Sequence, residues 1–233
     1  MNNINKIAKV TALLYLSMIP FGVLGILYVP GSLLVPGDVT ATMHNIMANE
    51  GMFRLAILAA LIGQVVQIAL VLALYKLLHV VNKLHAVLMV AFIIPAVAIS
   101  MLNELNNIAV LALLYPTAQL AATFSVDQLY GLADFFLHLH EQGIMIAQIF
   151  WGLWLFPMGY LVYRSGYIPR IIGILLMIGC FGYLLDSLML IWNPAFPFTF
   201  SEYTFLGEVL LPLWLLFKGV NVEKWKQWSE ART

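Results

Sequence analysis

The chain has 233 residues; 63% are apolar, only 9% are charged, and the formal net charge is zero. Ordinary soluble domains carry roughly 25% charged residues, so a mean hydropathy of +0.95 points to a multi-span membrane protein. Neutrality leaves no basic field for nucleic acid, which is excluded as a partner.

Run one, residues 10–29, is uncharged. As a helix it extends about 30 Å, enough to cross the hydrocarbon of a bilayer. It is too long for a typical signal-peptide core and lacks an A-x-A-like cleavage site, so it is expected to remain as the first span. Pro30-Gly31 and Pro36-Gly37-Asp38 are expected to break the chain after it. A short amphipathic helix is predicted over 39–50, with Met43, Ile46 and Met47 on one face and Gly51 ending it.

Run two covers 55–75. Its Ala56, Ala60, Gly63, Gln64 and Gln67 share one face. Small residues admit close helix approach and amides hydrogen-bond across it, so this face is expected to pack against another helix. Run three covers 86–107 and ends in Asn103, Glu104, Asn106 and Asn107, with a further apolar stretch to Tyr115. Either one long tilted helix keeps these groups at depth, or the chain leaves the membrane there.

Ser125-Val126-Asp127-Gln128 is a capping-box pattern and should start the helix that leads into run four, 138–163. Arg164-Ser165-Gly166-Tyr167-Ile168-Pro169-Arg170 reads as a stop and a restart. Run five, 171–192, is interrupted by Asp186. It holds Cys180, the single cysteine, which rules out an internal disulfide and any CxxC-type site. Residues 193–201 are rich in Pro and Phe and suit an interfacial loop. Run six, 202–217, is interrupted by Glu208. In the tail, Trp225 and Trp228 interleave with Lys224 and Lys226, which places it on the cytoplasmic leaflet.

Ten of the eleven basic residues share one side of this arrangement: Lys6, Lys9, Lys76, Lys83, Arg164, Arg170, Lys218, Lys224, Lys226 and Arg232. The positive-inside rule makes that side, with both termini, cytoplasmic. The expectation is an all-α polytopic protein of the cell membrane: a single integral membrane domain over 1–233 with six transmembrane helices. The exception to the charge rule is Arg54, at the outer end of run two.

Ionisable groups inside spans are costly and are functional candidates by default. Asp134, His138, Glu141, Met145, Gln148 and Gly152 recur at spacings of four and three, so they share a helical stripe expected to face the bundle. Asp186 and Glu208 fall at membrane depth, where an unpaired carboxylate costs several kcal/mol or takes a proton. Arg54 is the one basic residue on that side, and Asp186 or Glu208 is its expected partner. The candidate site is therefore an outward-facing polar cluster of Arg54, Glu104, Asn107, His138, Glu141, Gln148, Asp186 and Glu208. The plain alternative is that Arg54 snorkels to headgroups and the acids are wet or neutral.

Such a cluster suits the binding or transport of a small polar solute, a lipid headgroup or a proton, with membrane lipids as the other partners. A second reading is a metal-dependent enzyme. His138-x-x-Glu141 offers two ligands on one face, whereas di-metal bundles use paired Glu-x-x-His motifs. No structural zinc and no other cofactor is expected, since cysteine ligands are lacking. A third reading is a structural or regulatory membrane subunit whose cluster only fixes helix packing.

One succession of motifs is more specific. It comprises Leu14-Tyr15-Leu16, Phe53-Arg54-Leu55, Leu74-Tyr75, Gln148-Ile149-Phe150-Trp151-Gly152-Leu153-Trp154, Pro157-Met158-Gly159, Arg164-Ser165-Gly166, Pro169-Arg170 and Gly173. In this the chain resembles, over nearly its whole length, the bacterial membrane family catalogued as domain of unknown function 4386. The resemblance implies a multi-pass membrane protein and carries over no catalytic residue.

Overall fold

The computed structural model describes residues 3–193 and 196–231. Arg232, counted above among the basic residues, and Pro194 of the aromatic loop lie outside them. Among the described residues the regular elements are all helical: α1 (Asn3–Gly22), a π-helical segment (Val23–Tyr28), α2 (Val29–Leu33), α3 (Val39–Ala48), α4 (Glu50–Leu78), α5 (Lys83–Leu114), α6 (Ala118–Thr123), α7 (Val126–Ser165), α8 (Arg170–Trp192), α9 (Ser201–Thr204), α10 (Leu206–Phe217) and α11 (Val222–Glu230). Five helical stretches are long and apolar enough to cross a membrane. A sixth is counted if Ser201–Phe217 and Val222–Glu230, bent by 101° at their junction, form one broken span. The protein is an all-α polytopic membrane protein.

Three boundaries differ from expectation. The first helical stretch runs through Pro30 to Leu33, and the break comes at Pro36-Gly37. Proline removes one N–H and crowds the carbonyl four residues back. The π-helical segment just ahead of Pro30 widens the turn where that crowding falls. Next, α3 stops at Ala48, capped by Asn49, and Gly51 lies in the first turn of α4. A helix interior accepts glycine at a modest cost, so glycine alone does not force a stop. Last, α5 continues unbroken through Asn103–Asn107 to Leu114, so these groups belong to one continuous helix. At 32 residues it extends about 48 Å, well beyond the hydrocarbon thickness.

Helix α7 is longer still, 40 residues or about 60 Å. Its start is the reciprocal cap expected from sequence: Gln128 N donates to Ser125 Oγ at 3.3 Å, and Ser125 N donates to Gln128 Oε1 at 2.9 Å. Its early turns bury Leu129, Ala133 and Leu137 and expose His138 and Glu141. The exposed side of the same turns also carries Leu132, Phe135 and Leu139.

The chain divides into two compact units. One comprises Met1–Ser17, Val66–Ala98 and Met145–Thr233, the other Met18–Val65 and Ile99–Ile144. The second unit has a continuous apolar core that includes Leu33, Met43, Ile46, Phe53, Val110 and Leu137. The apolar face of α3 is thus spent on protein contact, with Met43 and Ile46 fully buried. On α4, Leu55, Leu58, Ile62 and Val65 form an exposed apolar stripe suited to lipid. Its inward face carries Ala56 and Gly63, and a Cβ at Gly63 would lie 3.3 Å from that of Phe21. Gln67, on the same α4 face but in the first unit, is buried as well. In the first unit α7 and α8 pack backbone to backbone at Gly159 and Gly173. A Cβ on either would come within 2.6 Å of the other's carbonyl oxygen.

Candidate functional site

The sequence-predicted polar residues fall into separate groups. Arg54 Nε donates to Glu50 Oε1 at 2.6 Å, one turn back on α4, and 54% of the Arg54 side chain is exposed. The Glu50 carboxylate near Tyr115 pushes the Tyr115 hydroxyl above the usual phenol value. The expected pairing of Arg54 with a buried acid gives way to this local pair. The reason is geometric: α4 begins at Glu50, so an acid four residues back is in reach without crossing to another helix. Beneath them is an open cavity of about 450 Å³ lined by Arg54, Ile57, Leu58, Ile108, Leu111 and Tyr115.

Within the second unit, α5 and α7 make a polar rung. Glu104 Oε1 lies 3.1 Å from His140 Nε2, and Glu104 Oε2 accepts from Asn107 Nδ2 at 2.9 Å. Asn103 Nδ2 donates to the His140 carbonyl at 2.8 Å, and Asn106 Nδ2 donates to Asn103 Oδ1 at 2.9 Å. Glu104 and Asn107 thus meet as anticipated, but the histidine is His140. His138 is exposed and folds back on its own turn: Nδ1 lies 2.9 Å from the Asp134 carbonyl and 3.5 Å from the Asp134 carboxylate. Glu141 is exposed too. Two residues along a helix rotate a side chain by about 200°, so only one of His138 and His140 faces α5. The available signal was the apolar stripe Ala133–Leu137, which runs on to His140 and marks the inward face. Gly143 admits the Asn103 side chain, which would occupy the place of a Cβ there.

The first unit holds the other group. Gln148 Nε2 donates to Asp186 Oδ2 at 3.4 Å, the i+3 neighbour of Tyr183 on α8. Asp186 also accepts the backbone N–H of Phe200 at 2.6 Å and of Ser201 at 2.9 Å. It acts as the cap that α9 lacks, for the α9 N-cap position is Phe200. Beside it, Ser187 Oγ donates to the Met145 carbonyl at 3.2 Å. A buried acid held by two backbone N–H groups has found partners without a basic residue.

Glu208, on α10, is differently placed. Tyr183 Oη donates to its Oε1 at 2.9 Å and Tyr15 Oη to its Oε2 at 3.2 Å. The Tyr15 ring lies 6.2 Å from that of Trp154, itself buried. Among the described residues no Lys, Arg or His forms an ion pair with Glu208. The carboxylate thus sits in an aromatic setting formed by α1, α7 and α8. The sequence marks Glu208 as a candidate site residue, and Tyr15 only as part of the Leu14-Tyr15-Leu16 motif; Tyr183 carries no signal of its own. Both belong to apolar runs, where tyrosine is ordinary packing material; the clue was that a buried phenol seeks a hydrogen-bond partner. Among the described residues no group of three or more His, Cys, Asp or Glu is placed to hold a metal, so His138 and Glu141 form no metal centre with a third ligand.

No solved structure matches this chain. An uncharacterised protein of Archaeoglobus fulgidus is 33% identical to it over 155 residues, covering 66% of this chain and 78% of the relative. The family model described as domain of unknown function, DUF4386, matches residues 10–219, a stretch that contains every polar group described above. The chain belongs to the DUF4386 family.

Proposed function

We propose that this multi-pass membrane protein binds a small positively charged solute, or a proton, at Glu208 and carries or senses it. The observation behind the reading is a carboxylate inside an apolar helix whose hydrogen-bond partners are two phenols. Each hydroxyl-to-carboxylate bond contributes about 1.5–3 kcal/mol. Desolvating the ion costs several kcal/mol. The two bonds offset much of this cost, and an arriving cation or proton supplies the rest. Tyr15, Tyr183 and, through its contact with Tyr15, Trp154 make the surroundings aromatic, which favours weakly hydrated organic ammonium groups over strongly hydrated ions.

Asp186 supports a different role. Its carboxylate is engaged by the loop ahead of α9 and by Gln148, so it positions the chain that leads to Glu208. The proposal does not pass through a metal, because the acids are dispersed.

The test is a melting-temperature screen of purified protein against tetramethylammonium, choline, small primary amines and matched neutral alcohols. Ammonium compounds are expected to raise the melting temperature of wild type and not that of Glu208→Gln. In proteoliposomes, ligand-free wild type should move protons down a pH gradient faster than Glu208→Gln if a proton is the occupant. The proposal fails if ammonium compounds stabilise both proteins equally or not at all and proton flux is also the same for both.

A further inference from the structure

Two basic residues far apart in the sequence converge at the end of the first unit where α7 turns into α8. Arg170 opens α8, and Lys224 lies on α11. Both line one cavity of about 380 Å³ with Gly166, Tyr167, Trp214 and Asn221, and its lining contains no acid. The chain builds this convergence deliberately. Asn221 N donates to the Tyr167 carbonyl at 3.2 Å, which ties the start of α11 to the α7–α8 loop. Trp225 Nε1 donates to the Leu77 carbonyl and Trp228 Nε1 to the Ser165 carbonyl, each at 3.0 Å. Tyr167 Oη donates to the same Leu77 carbonyl at 2.8 Å. Two tryptophan side chains and one backbone bond therefore hold α11 at its 101° bend, and the Tyr167 hydroxyl ties the α7–α8 loop to the same Leu77 carbonyl that Trp225 uses. Arg170 is steadied from below, its Cζ 5.8 Å from the centroid of the Tyr163 ring.

We infer that this cavity binds the phosphate headgroup of an anionic phospholipid, held between Arg170 and Lys224. Guanidinium and ammonium groups converging without an acid recognise phosphate. The surroundings favour a lipid over free phosphate. Trp214 in the wall belongs to the apolar helix α10, and tryptophan prefers the headgroup level. Ile171, which follows Arg170 on α8, and Phe217, three residues beyond Trp214 on α10, are strongly exposed, at 57% and 77%, and offer apolar surface to acyl chains. A basic pocket beside membrane helices, covered by a fixed amphipathic helix, is a headgroup site by its chemistry. This inference does not depend on Glu208.

The experiment titrates full-length protein in neutral detergent with phosphatidylglycerol, phosphatidylcholine or inorganic phosphate, reading the rise in melting temperature. Phosphatidylglycerol should stabilise at the lowest concentration. At roughly 1 kcal/mol per basic group, Arg170→Gln and Lys224→Gln should each weaken it about fivefold and the double variant about thirtyfold. Lys226→Gln, on the same helix but outside the cavity, should leave it unchanged. Lys224 is exposed, so its variant folds and decides the matter even if Arg170→Gln does not. Equal weakening by Lys226→Gln overturns the site in favour of unspecific surface charge. Equal stabilisation by phosphatidylcholine overturns anion recognition, and equal stabilisation by inorganic phosphate overturns the lipid.

Discussion

His140 Nε2 lies 3.1 Å from the carboxylate of Glu104, with only 15% and 9% of the two side chains exposed. His138, one position either side of Leu139 from His140, is 69% exposed. Two histidines of the same sequence neighbourhood thus have unlike roles. His140→Ala should destabilise the protein by about 1–3 kcal/mol, since Glu104 loses a partner while remaining buried. His138→Ala should leave the melting temperature near wild type. A chemical melt of both variants distinguishes them; equal losses would show that the rung is not a distinct unit of stability.

Arg54→Ala should melt at the wild-type temperature in detergent and in lipid. An exposed pair at i,i+4 contributes little, because water and headgroups replace the lost partner. A loss of many degrees, rescued by neutralising Asp186 or Glu208, would instead reveal the buried pairing that the sequence alone led one to expect.

Asp186→Ala leaves the Phe200 and Ser201 N–H groups without their acceptor. Each orphaned donor costs about 1–3 kcal/mol where water does not reach it. The loop ahead of α9 should become the first site of proteolytic cleavage, while the helices keep their far-ultraviolet signal. Asp186→Asn, which retains one acceptor oxygen, should lie between the two.

Gly159→Ala and Gly173→Ala should each cost about 1–3 kcal/mol, because the added methyl meets backbone that cannot move independently. Gly131→Ala is the control. Nothing lies within 4 Å of a Cβ there, and the change should stabilise α7 by about 0.5–1 kcal/mol. Thermal denaturation of the three variants tests the contrast directly.

Tags at both termini should be inaccessible from outside intact cells, given the ten-to-one distribution of basic residues. An externally labelled C-terminal tag would reverse the membrane side assigned to Glu208 and to the Arg170–Lys224 cavity, though not their geometry.

Composition and periodicity by themselves determined the class, the long apolar helices, the start of α7, the turn between α7 and α8 and the end of α8. These properties are local: an apolar run long enough for the bilayer, the Ser125–Gln128 cap and the Gly166–Pro169 stop act through residues within a turn or two. The same local information placed Glu104 with Asn107, which are i+3 neighbours, and singled out Gln148, Asp186 and Glu208. Spacing says which helical face a residue occupies but not which helix comes to meet it. Only the tertiary structure decided that Glu104 meets His140, that Asp186 caps a loop, and that Tyr15 reaches Glu208 across 193 positions. It also decided that Arg54 stays with Glu50 and that Lys224 and Arg170 line one cavity, because helix α4 starts where it does and α11 folds back at 101°. Partner choice in a bundle depends on how helices cross and how closely glycines let them approach, and neither quantity is written in the period of one helix.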